Sequence, residues 1–299
     1  MDLDRLRYII TVGDERSFSK ASKKLFISQP ALSQYISAVE NELGCTLFDR
    51  KSIPLTITPA GEIFIKRSKE IISLKHNMVK EIEDLTKNFA GTLTFGISPF
   101  RNAYILPKFI PELKGAFPNV KIKVIEKHAM ELEKDLEKGV VDLIVTSLPL
   151  TSKEFDFIPF CKEETFIVTP KEERFLNLAR DGEIGIPDLK DENFILPYER
   201  IKLRDEINIL FYNNHLFPNI FLETWNQEST LSLVESGMGI GFASEMSLKL
   251  GKWHEDLYFF PIKNNRIIRT FAIVYRRGKK FNDIENKFVE ILTKNFKDF

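Results

Sequence analysis

Residues 17–44 read SFSKASKKLFISQPALSQYISAVENELG, and the spacing of polar caps and apolar side chains in this stretch sets the fold of the N-terminal end. Ser17 is placed to cap a helix whose inner face is Phe18, Ala21 and Leu25, because a serine hydroxyl accepts a bond from a first-turn N–H. Phe26-Ile27 forms a short link. Ser28 caps the next helix, and Pro30 falls in its first turn, where a missing N–H costs little. Ala31, Leu32, Ile36, Val39 and Leu43 supply the inner stripe, and Gly44 ends the helix. Helix, tight turn, helix is the arrangement whose second member enters the major groove of DNA.

The reading extends outward on both sides. Upstream, Leu3, Leu6, Ile9, Ile10 and Val12 recur at helical spacing, with a stop expected near Gly13. Downstream, Leu47 to Thr58 holds Pro54 and alternating apolar residues, which suits a small hairpin or wing. Residues 1–60 thus read as a winged helix-turn-helix domain. Pro59 and Gly61 punctuate its end, and residues 61–90 read as a long linker helix. Phe64, Ile71, Met78 and Leu85 repeat there at seven-residue intervals. Ile72 and Val79 widen the stripe, Leu74 and Ile82 lie near it, and Arg67 and Glu81 interrupt it. A helix of this length with an apolar seam needs a surface to cover it, either a second copy or its own domain.

From Gly91 the pattern changes. GTLTFGIS, VKIKVIEK and DLIVTS are strands, with helices between them at Arg101–Phe117 and Glu131–Lys138. TFIVTP, NFILP, NIFLETW and IGFAS form a second set, with helices from about Arg204 and Ser229. The strand TFAIVYRR and a helix from Asn282 to Phe296 close the chain. Alternating strands and helices imply a largely parallel sheet with crossover connections. Two similar α/β lobes with a cleft between them follow, and ligands of open α/β sheets bind beyond the C-terminal strand ends.

Composition narrows the function. The chain of 299 residues carries 43 basic and 43 acidic side chains, so any contact with nucleic acid comes from a local patch. Residues 1–60 hold eight basic and seven acidic residues, so tight DNA binding calls for two copies. Asp2, Asp4 and Asp14 interrupt the N-terminal apolar run, which argues against a secretory signal. No apolar stretch is long enough to span a membrane. Cys45 and Cys161 lie far apart, which speaks against a disulfide framework and fits a cytoplasmic location. His76, His128, His215 and His254 lack metal-ligand spacing, so no metal or cofactor is expected. GMGIG follows a helix instead of opening one, and there is no G-x-S-x-G. Glu126 alone makes no acid–base pair, and an enzyme is not expected.

The stretches LRYIITVGDERSFSKASKKLFISQPALSQYISAVENELGCTLFDR and LTITPAG resemble the LysR-type transcription regulators. GTLTFGISPFRNAYILP, EKGVVDLIVTS and LVESGMGIGFAS resemble that family's effector domain, so the likeness spans essentially the whole chain. It implies a two-lobed α/β effector domain like that of periplasmic binding proteins over 91–299. Lobe I would comprise 91–160 and 263–299, and lobe II 161–262, with hinges near Cys161 and Ile262. It also implies a homodimer or homotetramer, double-stranded DNA as partner, a small-molecule effector and contact with RNA polymerase. A two-lobed solute-binding protein without a regulatory role is the alternative that the cleft alone would allow.

Site residues follow from both arguments. Gln29, Ser33 and Gln34 lie opposite the apolar stripe of the third helix. Glutamine can pair with adenine through two hydrogen bonds, and serine can bond a base or a phosphate. Ser28 and Pro30 at the start of that helix join them. Lys20, Lys23 and Lys24 on the second helix and Arg50 and Lys51 at the wing suit phosphates. Relatives often carry Arg at the Gln34 position and more Arg in the wing, whose tip here is Ser52-Ile53-Pro54. In the cleft, Ser98 precedes a helix N-terminus that favours an anion, with Arg101 beside it. Thr146 and Ser147 end a strand facing the same space. Tyr198, Glu199 and Arg200 follow NFILP, and Asn226 and Ser229 precede another helix. A small polar, preferentially anionic metabolite is the expected ligand.

Overall fold

The computed structural model describes residue 3 and residues 6–52, 54–86, 91–253 and 256–297. Asp2, Asp4, Ile53, Asn88 and His254 lie outside these, as do residues 87–90 of the linker and the side chains of His76, Glu81 and Leu85. The chain forms two compact units, a smaller one from residues 1–87 in the main and a larger one built from residues 88–136 and 140–299.

In the smaller unit, α1 (Leu6–Glu15), α2 (Phe18–Leu25) and α3 (Gln29–Leu43) precede a two-stranded hairpin, β1 (Phe48–Asp49) and β2 (Thr56–Ile57), and the long helix α4 (Pro59–Thr86). Ser17 caps α2 by accepting from the Lys20 N–H at 3.3 Å, and Ser28 caps α3 by accepting from the Ala31 N–H at 3.3 Å. Phe26 and Gly44 close these helices in the left-handed region. Ile9, Val12, Ala21, Leu32, Ile36, Val39, Leu47 and Phe48 form the core. One boundary differs from the sequence reading, because α1 runs through Gly13 to Glu15. A Cβ at Gly13 would lie 2.5 Å from Ile65 Cδ1. This glycine serves the close approach of α1 and α4, and it is not a helix stop.

In the larger unit, β3 (Thr92–Ile97), α5 (Pro99–Ala116), β4 (Lys121–Glu126), α6 (Ala129–Glu137) and β5 (Leu143–Ser147) build most of lobe I. The strand β6 (Phe155–Pro170) leads to lobe II, which holds α7 (Glu173–Leu178), β7 (Asn193–Pro197), α8 (Lys202–Asn213), β8 (Asn219–Thr224), α9 (Gln227–Glu235), β9 (Ile240–Ser244), α10 (Glu245–Leu250) and β10 (Leu257–Pro261). The strand β11 (Ile267–Arg276) returns, and α11 (Asp283–Asn295) completes lobe I. The strand order is β4-β3-β5-β11-β6-β9-β7-β8, with β10 paired to β6.

The two lobes share β6 and β11, which pair antiparallel from Ile267↔Thr165 to Arg276↔Phe155. The C-terminal part of β6 pairs with β9 and β10 in lobe II. The return crossing therefore lies after Ile267, not near Ile262, because Ile262 is buried in the lobe II core beside Phe175, Ile184 and Phe260. The first half of β6, the short helix α10 and strand β10 are absent from the sequence reading. Pro159 hides the strand, since proline cannot donate to a ladder. It is accommodated here at the register shift between Phe271 and Ala272. Each lobe has its own core, around Phe95, Phe109 and Phe288 in lobe I and around Phe194, Phe211 and Phe242 in lobe II.

Candidate functional site

The exposed start of α3 presents Ser28, Gln29, Pro30 and Gln34 to solvent, with Leu32 and Ile36 buried on its other side. Lys20, Lys23, Lys24 and Lys51 are exposed around it. Lys24 pairs with Glu15, which holds that carboxylate below its ordinary range through the hydrogen bond from Lys24. Arg50, expected at phosphates, is engaged within the domain. Its guanidinium donates to Ser33 Oγ at 3.0 Å, Ser37 Oγ at 2.9 Å and Glu40 Oε2 at 2.9 Å. It also lies 5.2 Å from the centre of the Phe18 ring. Glu40 is buried and accepts from the Leu47 N–H at 2.7 Å and the Phe48 N–H at 3.2 Å. Arg50 and Glu40 thus clamp α3 to the wing, so Arg50 acts as a positioning group and Ser33 is already engaged. The sequence did not reveal Glu40, whose partners come from a different element.

On α4, the seven-residue repeat is only partly realised. Phe64 and Ile72 pack on the winged-helix core. The solvent-facing apolar stripe is instead Ile71, Leu74, Met78 and Ile82, so Phe64 does not belong to it and Leu74 and Ile82 do. Side-chain direction decides this, because α4 turns one face to its own domain in its first half.

Between the lobes lies a cavity of about 260 Å³. Lobe I contributes the cap residue Ser98 and Pro99 to Arg101 at the start of α5, His128 just before α6, Ala129 and Leu132 of α6, and Val145 to Ser147 at the end of β5. Lobe II contributes Pro197, Arg200 to Leu203, Thr224 to Gln227, Thr230 and Phe242, and β11 contributes Arg269 and Phe271. Ser98 takes the cap position of α5 but its hydroxyl makes no capping bond. Thr146 and Ser147 are buried in the wall.

Three expected residues fall outside the lining. Tyr198 stacks on Trp225 with ring centres 4.4 Å apart, and Glu199 is exposed beyond it. Ser229 is also outside, because α9 begins two residues earlier than its expected start and turns Gln227 and Thr230 to the cavity. Asn226 lines the cavity, but its side-chain oxygen caps α9 by accepting from the Glu228 N–H at 3.0 Å. Trp225 faces His128 of lobe I at 4.6 Å, so an aromatic stack crosses the cleft.

The cavity walls carry Arg101, Arg200, Lys202 and Arg269, and no Asp or Glu among the described residues. The carboxylates stand behind them. Arg101 pairs with buried Glu163. Lys202 pairs with Glu133 at 2.8 Å and donates to the carbonyls of Ser147 at 3.0 Å and Pro149 at 2.8 Å, which ties α8 to lobe I. Arg269 donates to Ser147 Oγ at 2.7 Å. Its Nε stands 3.5 Å from Glu206. Burial lowers the Arg269 guanidinium to about 10, with Glu206 opposing the shift. Burial likewise raises the Glu206 carboxyl, although Arg269 opposes it. Lys202 and Arg269 were not singled out in the sequence. Arg269 had a visible signal, a lone charge after the apolar pair Ile267-Ile268. Cys161 is buried, and burial pushes its thiol up to about 12, which makes it inert.

Comparison with known proteins agrees with this geometry. Residues 86–297 match the family description "LysR substrate binding domain", and residues 3–62 match "Bacterial regulatory helix-turn-helix protein, lysR family". The chain belongs to the LysR family: it is a DNA-binding transcription regulator with an effector-binding domain, and not an enzyme. It is 30% identical to the HTH-type transcriptional regulator YcgK of Bacillus subtilis over 261 residues, covering 82% of this chain and 81% of that protein. It is 29% identical to the regulator BsdA of the same organism over 97% of this chain and 100% of that one. Among solved structures it is similar to a Corynebacterium glutamicum OxyR C206 mutant, with a TM-score of 0.61, 25% identity and coverage of 99% and 92%. The solute-binding alternative falls with the family assignment. No helix among the described residues is long and apolar enough to cross a membrane.

Proposed function

We propose that the chain works in the cytoplasm as a homodimer or homotetramer that reads a partly two-fold symmetric DNA site with α3. A small anionic metabolite in the interlobe cavity switches its effect on RNA polymerase. The observation that carries the effector reading is the cavity wall, whose lining holds four basic side chains and, among the described residues, no Asp or Glu. A ligand seated there touches both lobes, and it shifts their arrangement only by its differential affinity for the two states. Ser98, Thr146 and Ser147 supply hydrogen bonds. Arg101 and Asn226 have other partners and act chiefly by shaping the walls.

DNA footprinting on the region upstream of the protein's own gene, with and without pooled small carboxylates, tests the whole reading. A footprint that no pool alters, or no footprint at all, would refute it. Two substitutions separate the roles at the DNA end. Gln29→Ala should cost about 1–3 kcal/mol and relax preference at particular base pairs. Lys23→Ala should weaken all sequences alike and reduce the salt dependence by about one counterion. Titrations at several salt concentrations distinguish them, and identical behaviour of both variants would remove the assignment.

A further inference from the structure

We propose that the cavity takes a small monocarboxylate with a flat apolar body, of the size of a monocyclic aromatic acid, its carboxylate set against Arg269. This deepens the reading of the cavity as the effector site and rests on it.

Charge limits the ligand to one carboxylate. Arg101 is neutralised by Glu163, which also accepts from the Met246 N–H at 2.9 Å. Lys202 is neutralised by Glu133 and held by two carbonyls. Arg200 is exposed, so water already solvates it. Arg269 is different. Its nearest carboxylate oxygen, on Glu206, lies 3.5 Å from Nε. That Nε is buried without a hydrogen-bond partner, and so is Glu206 Oε2. A buried guanidinium with incomplete pairing is costly, and one anion in the cavity would relieve it. A second negative charge would meet no comparable cation.

Size and lining decide the rest. An apolar cavity of about 150 Å³ holds benzene, so the 260 Å³ here accommodates a ring, a carboxylate and little more. Phe100, Leu132, Val145, Trp225, Phe242 and Phe271 supply apolar wall. The Phe271 ring is flanked by the Arg101 guanidinium at 3.3 Å and that of Arg269 at 5.2 Å. The cation thus sits beside the apolar wall, as a molecule with one charged end and one apolar end requires.

The test uses the full-length protein, with Trp225 fluorescence and calorimetry as readouts and benzoate as the probe. Benzamide removes the charge, acetate removes the ring, and succinate and inorganic phosphate add charge. Benzoate should bind saturably, about ten-fold or more tighter than each of the others. Arg269→Gln should remove most of that advantage over benzamide, and Arg269→Lys should keep part of it. Should Arg269→Gln fold poorly, Ala129→Phe fills the cavity from the start of α6 and should abolish benzoate binding without removing a charge. Tighter binding of succinate or phosphate, abolished by Ala129→Phe, would overturn the ligand class and leave the cavity as the effector site. Benzoate binding that neither Arg269→Gln nor Ala129→Phe alters would overturn the seat assigned to it here. Absence of saturable benzoate binding up to about 10 mM, far weaker than the affinities useful to a regulator, would also overturn the proposal.

Discussion

Leu74→Glu combined with Met78→Glu should convert the protein to monomers and weaken its binding to a duplex with two half-sites by about 100-fold or more. Ile71, Leu74, Met78 and Ile82 are 37%, 71%, 53% and 54% exposed and follow one another at spacings of three, four and four residues along α4. That spacing forms one seam, and a second copy of the same helix is the surface proposed to cover it. Two glutamates in the seam would be buried against apolar side chains at the paired interface, a cost that apolar partners do not offset. The DNA effect follows from linkage. Two tethered recognition helices bind the second half-site at high effective concentration, and a monomer loses that gain. Phe64→Ala is the contrasting substitution. It should lower the stability of the winged-helix unit and leave the assembly state alone, because Phe64 packs on the core around Ile9 and Phe48. Light scattering at micromolar protein gives the mass, and titration of half-site and full-site duplexes gives the coupling. A double variant that keeps the parental mass would remove α4 as the assembly helix.

The other large effect is expected at Arg101 and Glu163. Arg101→Met should destabilise the effector domain by about 3–5 kcal/mol, the scale of a buried charge left without its partner. The melting temperature should fall by on the order of 10 °C. Arg101 is 5% exposed and Glu163 3% exposed. The guanidinium lies 3.3 Å from the centre of the Phe271 ring, and Glu163 also accepts from the Met246 N–H at 2.9 Å. Burial alone would raise the Glu163 carboxyl, but Arg101 and these hydrogen bonds overcome it and hold the group below the usual carboxylate range. A depressed folded-state value stabilises the protein above the ordinary glutamate value, about 4.3. That stabilisation is lost as the pH falls through the lowered value. In Arg101→Met the guanidinium no longer opposes burial and only the hydrogen bonds do, so Glu163 moves up and the gap between parent and variant should narrow toward acid. The double substitution Arg101→Met with Glu163→Met should recover much of the loss, since both charges leave together. Denaturant unfolding at neutral and acid pH checks both signs. Equal stability of parent and Arg101→Met would show that the pair carries no such weight.

Arg101 also illustrates how a residue can be found while its partner stays hidden. Its position after Ser98 at a helix start marked it for the cleft, and it does line the cavity. Its charge is spent on Glu163, which lies on a strand 62 residues later. Arg50 repeats the pattern at the other end, where Glu40 and two serines of α3 claim a side chain that the wing position assigned to phosphate. Ser229 was named where its neighbour Thr230 lines the cavity, because the start of α9 is set by the Asn226 cap.

By itself the sequence determined the local order of the chain. The caps at Ser17 and Ser28, the stop at Gly44 and the alternation of strands and helices after Gly91 are all written in neighbours a few residues apart, where backbone bonding and side-chain periodicity act. The family likeness, carried by the same short stretches, determined the class of protein. What only the tertiary structure decided depends on partners remote in sequence. The pairing of β6 with β11 joins residues more than a hundred positions apart and places Arg269 in the cavity wall, its Nε without a hydrogen-bond partner. Burial beside a distant carboxylate fixes whether an arginine is free to meet a ligand, and no local pattern records that distance.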